Sequence, residues 1–246
     1  KMSSSTPSPH IPLAQIRFRS HEFFGKYITK HELPRKILHS SIGLIAVYLY
    51  IQGVDYTKIA SILTIAFFSI LMFDIVRLRW HSFNWLYCKV VGMLMRPSEV
   101  NKYNGVLFYI LGLIFSFGFF QKDICLISVM LLSWSDTAAS TFGRKYGHLT
   151  PKIARNKSLA GSLAAFIVGV ISVYTVYGIL LPSFPELNDY ADIKWHAEES
   201  SLSLTTISLL GGFVASFSEG IDIYDIDDNL TIPVLSSLFM AFVTSF

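Results

Sequence analysis

Asp136 stands inside an apolar run, residues 124–142. The run leads directly into residues 143–158, where Arg144, Lys145, Lys152, Arg155 and Lys157 occur without one acid. An ionisable side chain at membrane depth costs about 3 kcal/mol or more unless it is partnered, and by default it marks a functional site. A phosphate ligand carrying a divalent cation satisfies both features. The carboxylate takes the metal, Mg²⁺ (or Ca²⁺), and the cations take the phosphate oxygens. The alternative is an acid that only hydrogen-bonds neighbouring hydroxyls and locks helices together.

Three further clusters belong with this one. In residues 34–39, PRKILH, Arg35 and Lys36 stand at the mouth of an apolar run with His39 one turn inside. They read either as a positive-inside anchor or as a pair neutralising a phosphate chain. Residues 154–162, ARNKSLAGS, place Asn156, Lys157 and Ser158 before a run opened by Ala160, Gly161 and Ser162. The first N–H groups of such a helix attract anions, and Lys157 adds a full charge. No G-x-x-x-x-G-K-[ST] loop occurs, so a nucleotide must be held by another device. Residues 218–233 gather Glu219, Asp222, Asp225, Asp227, Asp228 and Asn229. Glu219 and Asp228 lie nearest the adjoining runs and are the expected metal partners of Asp136, whereas Asp225 and Asp227 read as a solvated loop. Around Asp136, the small residues Ala138, Ala139 and Ser140 permit close approach of another helix or a ligand. Gly143 and Gly147 are expected to let the backbone turn and come near a ligand.

The elements that must position these residues are membrane helices. Of 246 residues, 52% are hydrophobic and 15% charged, with a mean hydropathy of +0.49, which argues against ordinary soluble packing. Seven apolar runs at about 37–52, 59–76, 104–120, 124–142, 159–182, 204–220 and 230–246 predict an all-α polytopic protein of about seven transmembrane helices. Residues 1–12 read as a disordered tail and 13–35 as an interfacial helix, followed by one membrane-embedded catalytic domain, 36–246. A mixed segment at 83–95 looks half-immersed. Lys1 before Met2, and a last run that stops at Phe246, are expected of a chain whose natural ends lie elsewhere.

Charge asymmetry tests the count, because cytoplasmic loops collect Lys and Arg. Seven precede the first run; Arg77, Arg79, Lys89, Arg96 and Lys102 follow the second; and the basic loop follows the fourth. The alternate loops hold Lys58 alone, Lys122 alone, and Lys194 against five acids. Seven spans with a cytoplasmic N-terminus satisfy the rule at every loop. Cys88 and Cys125 fit neither a disulfide framework nor a zinc cluster and read as packing residues. The charge pattern lacks the exposed basic surface that nucleic-acid binding requires.

The long run LLSWSDTAASTFGRKYGHLTPKIARNKSLAGS, with PRKILHSSIG before it and SEGIDIYDIDDNLTIPVLSSLF after it, closely resembles the fungal CTP-dependent diacylglycerol kinases of the endoplasmic reticulum and nuclear envelope. It is more distantly similar to dolichol and phytol kinases and to phosphatidate cytidylyltransferases. The resemblance covers nearly all of the chain beyond the N-terminal tail. It implies transfer of the γ-phosphoryl group of CTP to diacylglycerol, giving phosphatidate and CDP, with a divalent metal. By position, Asp136 matches the family's essential acid, Gly143 its following glycine, and Arg35 and Lys36 its basic pair. Nucleotide contacts are then expected from Thr137, Gly143, Arg144, Lys145, Gly147, Asn156, Lys157 and Ser158. The rival readings are a polyprenol or phytol kinase, a cytidylyltransferase making CDP-lipid, and, from another class, an anion transporter or scaffold.

Overall fold

The structure, a computed structural model, describes residues 33–154, 157–221 and 227–246. The expected tail and nearly all of the interfacial helix lie outside these residues, as do Asn156, Asp222 and Asp225. Nine helices carry the described fold: α1 Leu33–Ile51, α2 Tyr56–Arg79, α3 His81–Val91, α4 Gly105–Phe119, α5 Lys122–Met130, α6 Asp136–Tyr146, α7 Leu159–Tyr174, α8 Leu204–Gly220 and α9 Asp228–Val243. Each of the seven apolar runs falls on one helix or one continuous helical stretch, and the half-immersed segment becomes α3.

Among the described residues three stretches are long and apolar enough to cross a bilayer: Tyr56–Arg79, Lys122–Leu149 and Leu159–Ser183. Gly105–Phe119 and Asp228–Val243 are shorter apolar helices. This is a membrane protein. On α2 only 6% of the apolar window is buried, and Ile62, Ile65, Phe68 and Met72 stand outward as lipid-facing side chains do. At the other extreme, every residue of α5 from Asp123 to Met130 is buried, so α5 forms the axis around which α1, α4 and α9 pack.

Between α5 and α6 the helix continues as a π-helical turn, Leu131–Ser135, that ends directly before Asp136. Such turns occur mostly as single insertions and often at functional sites, because the extra residue rotates the next turns of the helix about its axis. Trp134 Nε1 donates to Ser40 O at 3.1 Å, pinning this turn to α1. Gly43 makes the contact possible, since a Cβ there would meet Trp134 Nε1 at 2.5 Å.

The fold departs from an all-α arrangement at one place. Lys152–Ala154 (β1) and Lys157–Ser158 (β2) pair antiparallel, folding the basic loop back on itself. Leu159 N donates to Pro151 O at 3.0 Å and Ala160 N to Thr150 Oγ1 at 3.2 Å, so the loop returns tightly to the start of α7.

A second departure concerns Arg77. Counted in the sequence as a loop cation, it is completely buried and paired with the equally buried Asp74, Nε to Oδ1 at 2.6 Å. Its guanidinium also donates to Asn84 Oδ1 and to the carbonyls of Glu99, Val100 and Lys102, while Asp74 Oδ2 accepts from Asn104 N at 2.6 Å. A guanidinium has five donors in a fixed fork, and here they tie α2 and α3 to the segment 99–104.

Candidate functional site

A cavity of about 290 Å³ is lined by Arg35 of α1, Arg96, Asp136, Ala139, Ser140, Gly143 and Arg144 of α6, Lys157 and Ser158 of β2, Gly161 of α7, Glu219 of α8 and Asp228 of α9. Residues more than 190 positions apart in the chain therefore face one space. Each wall has a local cause. Ser158 caps α7, its Oγ accepting from Gly161 N at 3.3 Å, which aims the start of that helix into the cavity. Opposite it, a Cβ on Gly161 would stand 3.0 Å from Ala139 O, and one on Gly143 would stand 3.3 Å from Ser158 Oγ. Small residues let α6 and α7 approach closely at this point. Asp227 caps α9 through Asn229 N at 3.0 Å and pairs with Arg96 Nη1 at 3.3 Å, so it is a structural acid rather than a solvated one.

The electrostatics centre on four groups. Lys157 Nζ lies 3.0 Å from Glu219 Oε1 and 2.7 Å from Asp228 Oδ2, bridging α8 and α9. Burial pulls the Lys157 pKa down, but Asp228 and Glu219 pull it up by more, and the net value is above that of an ordinary lysine. Asp136 has His39 Nδ1 at 4.0 Å, and the His39 ring packs edge-on against Tyr109, whose hydroxyl is 3.0 Å from Ser133 Oγ. Glu219 Oε2 is buried and lacks a hydrogen-bond partner among the described residues.

Among the described residues no three His, Cys, Asp or Glu side chains converge closely enough to hold a metal by themselves. The donor set nevertheless suits magnesium. That ion usually takes one or two carboxylates and completes its shell with water and substrate phosphates rather than from an all-protein cage. Asp136 and the orphaned Glu219 oxygen are carboxylate groups of the kind it requires.

Of the residues expected from sequence, Arg35, Asp136, Gly143, Arg144, Lys157, Ser158, Glu219 and Asp228 come together on this cavity. Lys36, Thr137, Lys145 and Gly147 stand off its walls. Lys36 Nζ donates to Thr141 Oγ1 at 2.9 Å, tying α1 to the outer side of α6. Thr137 Oγ1 donates to Ser133 O at 2.7 Å, inside its own helix. Lys145 Nζ lies over the Tyr146 ring. Gly147 does not turn the backbone, because its φ of −62° is helical; a Cβ there would meet Ser158 Oγ at 2.8 Å. Its lack of a side chain serves packing. Arg96 is the lining residue that sequence reasoning missed, whereas Ala139 and Ser140 read as small residues permitting close approach and Gly161 as part of a helix start. For Arg96 the sequence held only its presence on the basic side of the topology.

The description "Cytidylyltransferase family" matches residues 18–218. The chain belongs to this family. It is 59% identical over 240 residues to the CTP-dependent diacylglycerol kinase 1 of Saccharomyces cerevisiae, covering 98% of this chain and 83% of that protein. It is 42% identical to the protein of the same name from Schizosaccharomyces pombe, covering 88% and 95%. A probable chloroplastic phytol kinase of Zea mays is 26% identical, covering 90% and 70%. No solved structure matches the chain.

Proposed function

We propose that the protein is a CTP-dependent diacylglycerol kinase that makes phosphatidate and CDP at the cytoplasmic face of a membrane. The observation that carries this reading is the meeting of Asp136 with Arg35, Arg96, Arg144 and Lys157 on one cavity. The surroundings suit a metal-complexed triphosphate, and the chain resembles kinases of that name over almost its whole length. If the seven helical stretches cross in turn from a cytoplasmic N-terminus, every cavity wall falls on the side where basic loops collect, which supports this reading. Endoplasmic reticulum and nuclear envelope are the proposed location.

Phosphoryl transfer asks for positioning and charge neutralisation more than for covalent chemistry by the protein. Asp136, with Glu219 or Asp228, would hold the divalent cation, which supplies charge neutralisation to the phosphates when bound. Arg35, Arg96, Arg144 and Lys157 balance the remaining phosphate charge, whereas the first N–H groups of α7, expected from the sequence to attract an anion, are already taken by Pro151 O, Thr150 Oγ1 and Ser158 Oγ. The acceptor hydroxyl oxygen forms a bond to the γ-phosphorus as the bond to the bridging oxygen breaks. The electron pair departs with CDP, and the hydroxyl proton ends on the transferred phosphoryl group.

Purified protein in lipid micelles, given CTP labelled in turn at the γ- and α-phosphorus, is expected to move only the γ-label to diacylglycerol. The α-label on lipid would instead indicate a cytidylyltransferase. Asp136→Asn keeps the volume and removes the charge, so transfer should fall to background while the protein still inserts and unfolds at the wild-type temperature. Wild-type turnover by that variant would refute the role given to Asp136.

A further inference from the structure

We infer that a second cavity beside the first receives the glycerol end of the acceptor lipid, an inference that rests on the kinase reading above. This space, about 210 Å³, lies between α1, α2, α3 and the beginnings of α4 and α9. Arg35 belongs to the walls of both cavities. His39 repeats the connection, because it lines the second cavity while its Nδ1 lies 4.0 Å from Asp136 in the first. A molecule seated in the second space thus ends against Arg35, which also borders the proposed phosphate site, and against His39, which stands beside Asp136.

The lining divides as a lipid headgroup would require. Leu38, Ile70, Val91 and Leu94 give an apolar wall, and Tyr87 and Asn104 give hydroxyl and amide groups. Asn104 Oδ1 is held by Val106 N at 3.0 Å as the cap of α4, while its Nδ2 donates to the Tyr87 hydroxyl at 3.5 Å, a long contact that leaves that hydroxyl able to turn toward a ligand. Glu99 also reaches this wall, but its two oxygens already accept from Arg96 N at 2.9 Å and Gly105 N at 3.2 Å. It holds the wall in place. An apolar pocket with a few convergent polar groups is the usual form of a small-molecule site. The volume is below the range of about 300–1,000 Å³ typical for a whole drug-sized ligand, which suits a glycerol head with its chains outside.

The chains have somewhere to go. Leu38 is 37% exposed and its neighbour Ile37 61% exposed on the outer side of α1, while Met72 and Phe73 are exposed on α2 just beyond Ile70. Acyl chains leaving the cavity beside Leu38 and Ile70 would therefore meet exposed apolar side chains of α1 and α2. The described walls of the first cavity are instead mostly charged residues, serines and glycines.

The test uses wild-type protein in proteoliposomes with a diacylglycerol carrying a photoactivatable diazirine on the acyl carbons nearest the glycerol. Peptides containing Leu38, Ile70, and Val91 with Leu94 are expected to carry the label, and excess plain diacylglycerol should remove it. Competable label confined to α7 and α8 would overturn the assignment. In parallel, Ile70→Trp and Leu94→Trp fill the cavity. They should raise KM for diacylglycerol by about tenfold with KM for CTP within about twofold of wild type. A folded variant with an unchanged diacylglycerol KM would also overturn the assignment. Should both variants fail to fold, the cross-linking decides alone. A wild-type protein that moves no γ-phosphate to diacylglycerol would instead refute the kinase reading, separately from where the lipid binds.

Discussion

Lys157 is the residue whose surroundings say most about how this site is held. Its ammonium stands between two carboxylates on different helices, so it keeps α8 and α9 together while charging the cavity. Lys157→Gln removes the charge and leaves Glu219 and Asp228 facing each other. Breaking a buried pair costs about 3–5 kcal/mol, and with Lys157 17% exposed a loss of about 2–3 kcal/mol is the reasonable scale. The apparent unfolding midpoint in detergent measures it, and an unchanged midpoint would mean that the bridge contributes nothing. The pH dependence has a definite sign. A lysine whose folded pKa is raised contributes fully below its unfolded value of about 10.4 and loses that contribution only as pH rises through the folded value. The lysine's own contribution should therefore stay constant from about pH 6 to 9, and because the two acids left facing each other in Lys157→Gln can share a proton, the variant's deficit should shrink as pH falls. Asp136, Lys157, Glu219 and Asp228 were all legible as candidates, because charges beside apolar runs demand a reason. That Lys157 would itself bridge the two acids was not legible, since their spacing in sequence, 62 and 71 positions away, carries no distance.

At the scale of elements, the buried Asp74–Arg77 pair decides how the segment between α3 and α4 is held. That segment carries Arg96 to the cavity, and its carbonyls at Glu99, Val100 and Lys102 end on the Arg77 guanidinium. Arg77→Leu leaves Asp74 buried without its counter-charge, and those carbonyls lose their donor. A loss of about 3–5 kcal/mol is expected, read as an earlier unfolding midpoint, together with weakened CTP use as Arg96 shifts. A variant with wild-type stability would show that the network is dispensable. The helices themselves were readable from apolar runs, and their caps at Asp55, Asn104 and Ser158 agree with polar residues placed just before those runs. The π-helical turn before Asp136 was not readable. Its one extra residue depends on how Trp134 and Ser133 pack against α1 and α4, which hydropathy does not record.

Over the whole molecule, the continuous stretch Lys122–Leu149 separates two polar ends. Asp123 near its start accepts from Tyr177, Lys194 N and Trp195 N, and so anchors the acidic loop, while Asp136 lies about 20 Å further along the helix. The two ends should face opposite sides of the membrane. Cys88 and Cys125 are buried, so single cysteines placed at exposed positions can report sidedness against a low background. In sealed microsomes Lys152→Cys should react with an impermeant thiol reagent, and Glu198→Cys only after permeabilisation. Equal labelling of both before permeabilisation would break the proposed crossing order. By itself the sequence determined the membrane class, the helical stretches, and the acids and cations whose charge needs an explanation, because hydropathy and charge are properties of single residues and short windows. Only the tertiary structure decided which of them share a cavity, and that Arg77 is a buried clamp rather than a loop cation. It also decided that Lys36, Thr137 and Lys145 turn to other partners and that Gly147 serves packing, because direction and distance arise only when helices pack and neighbouring groups compete for the same contacts.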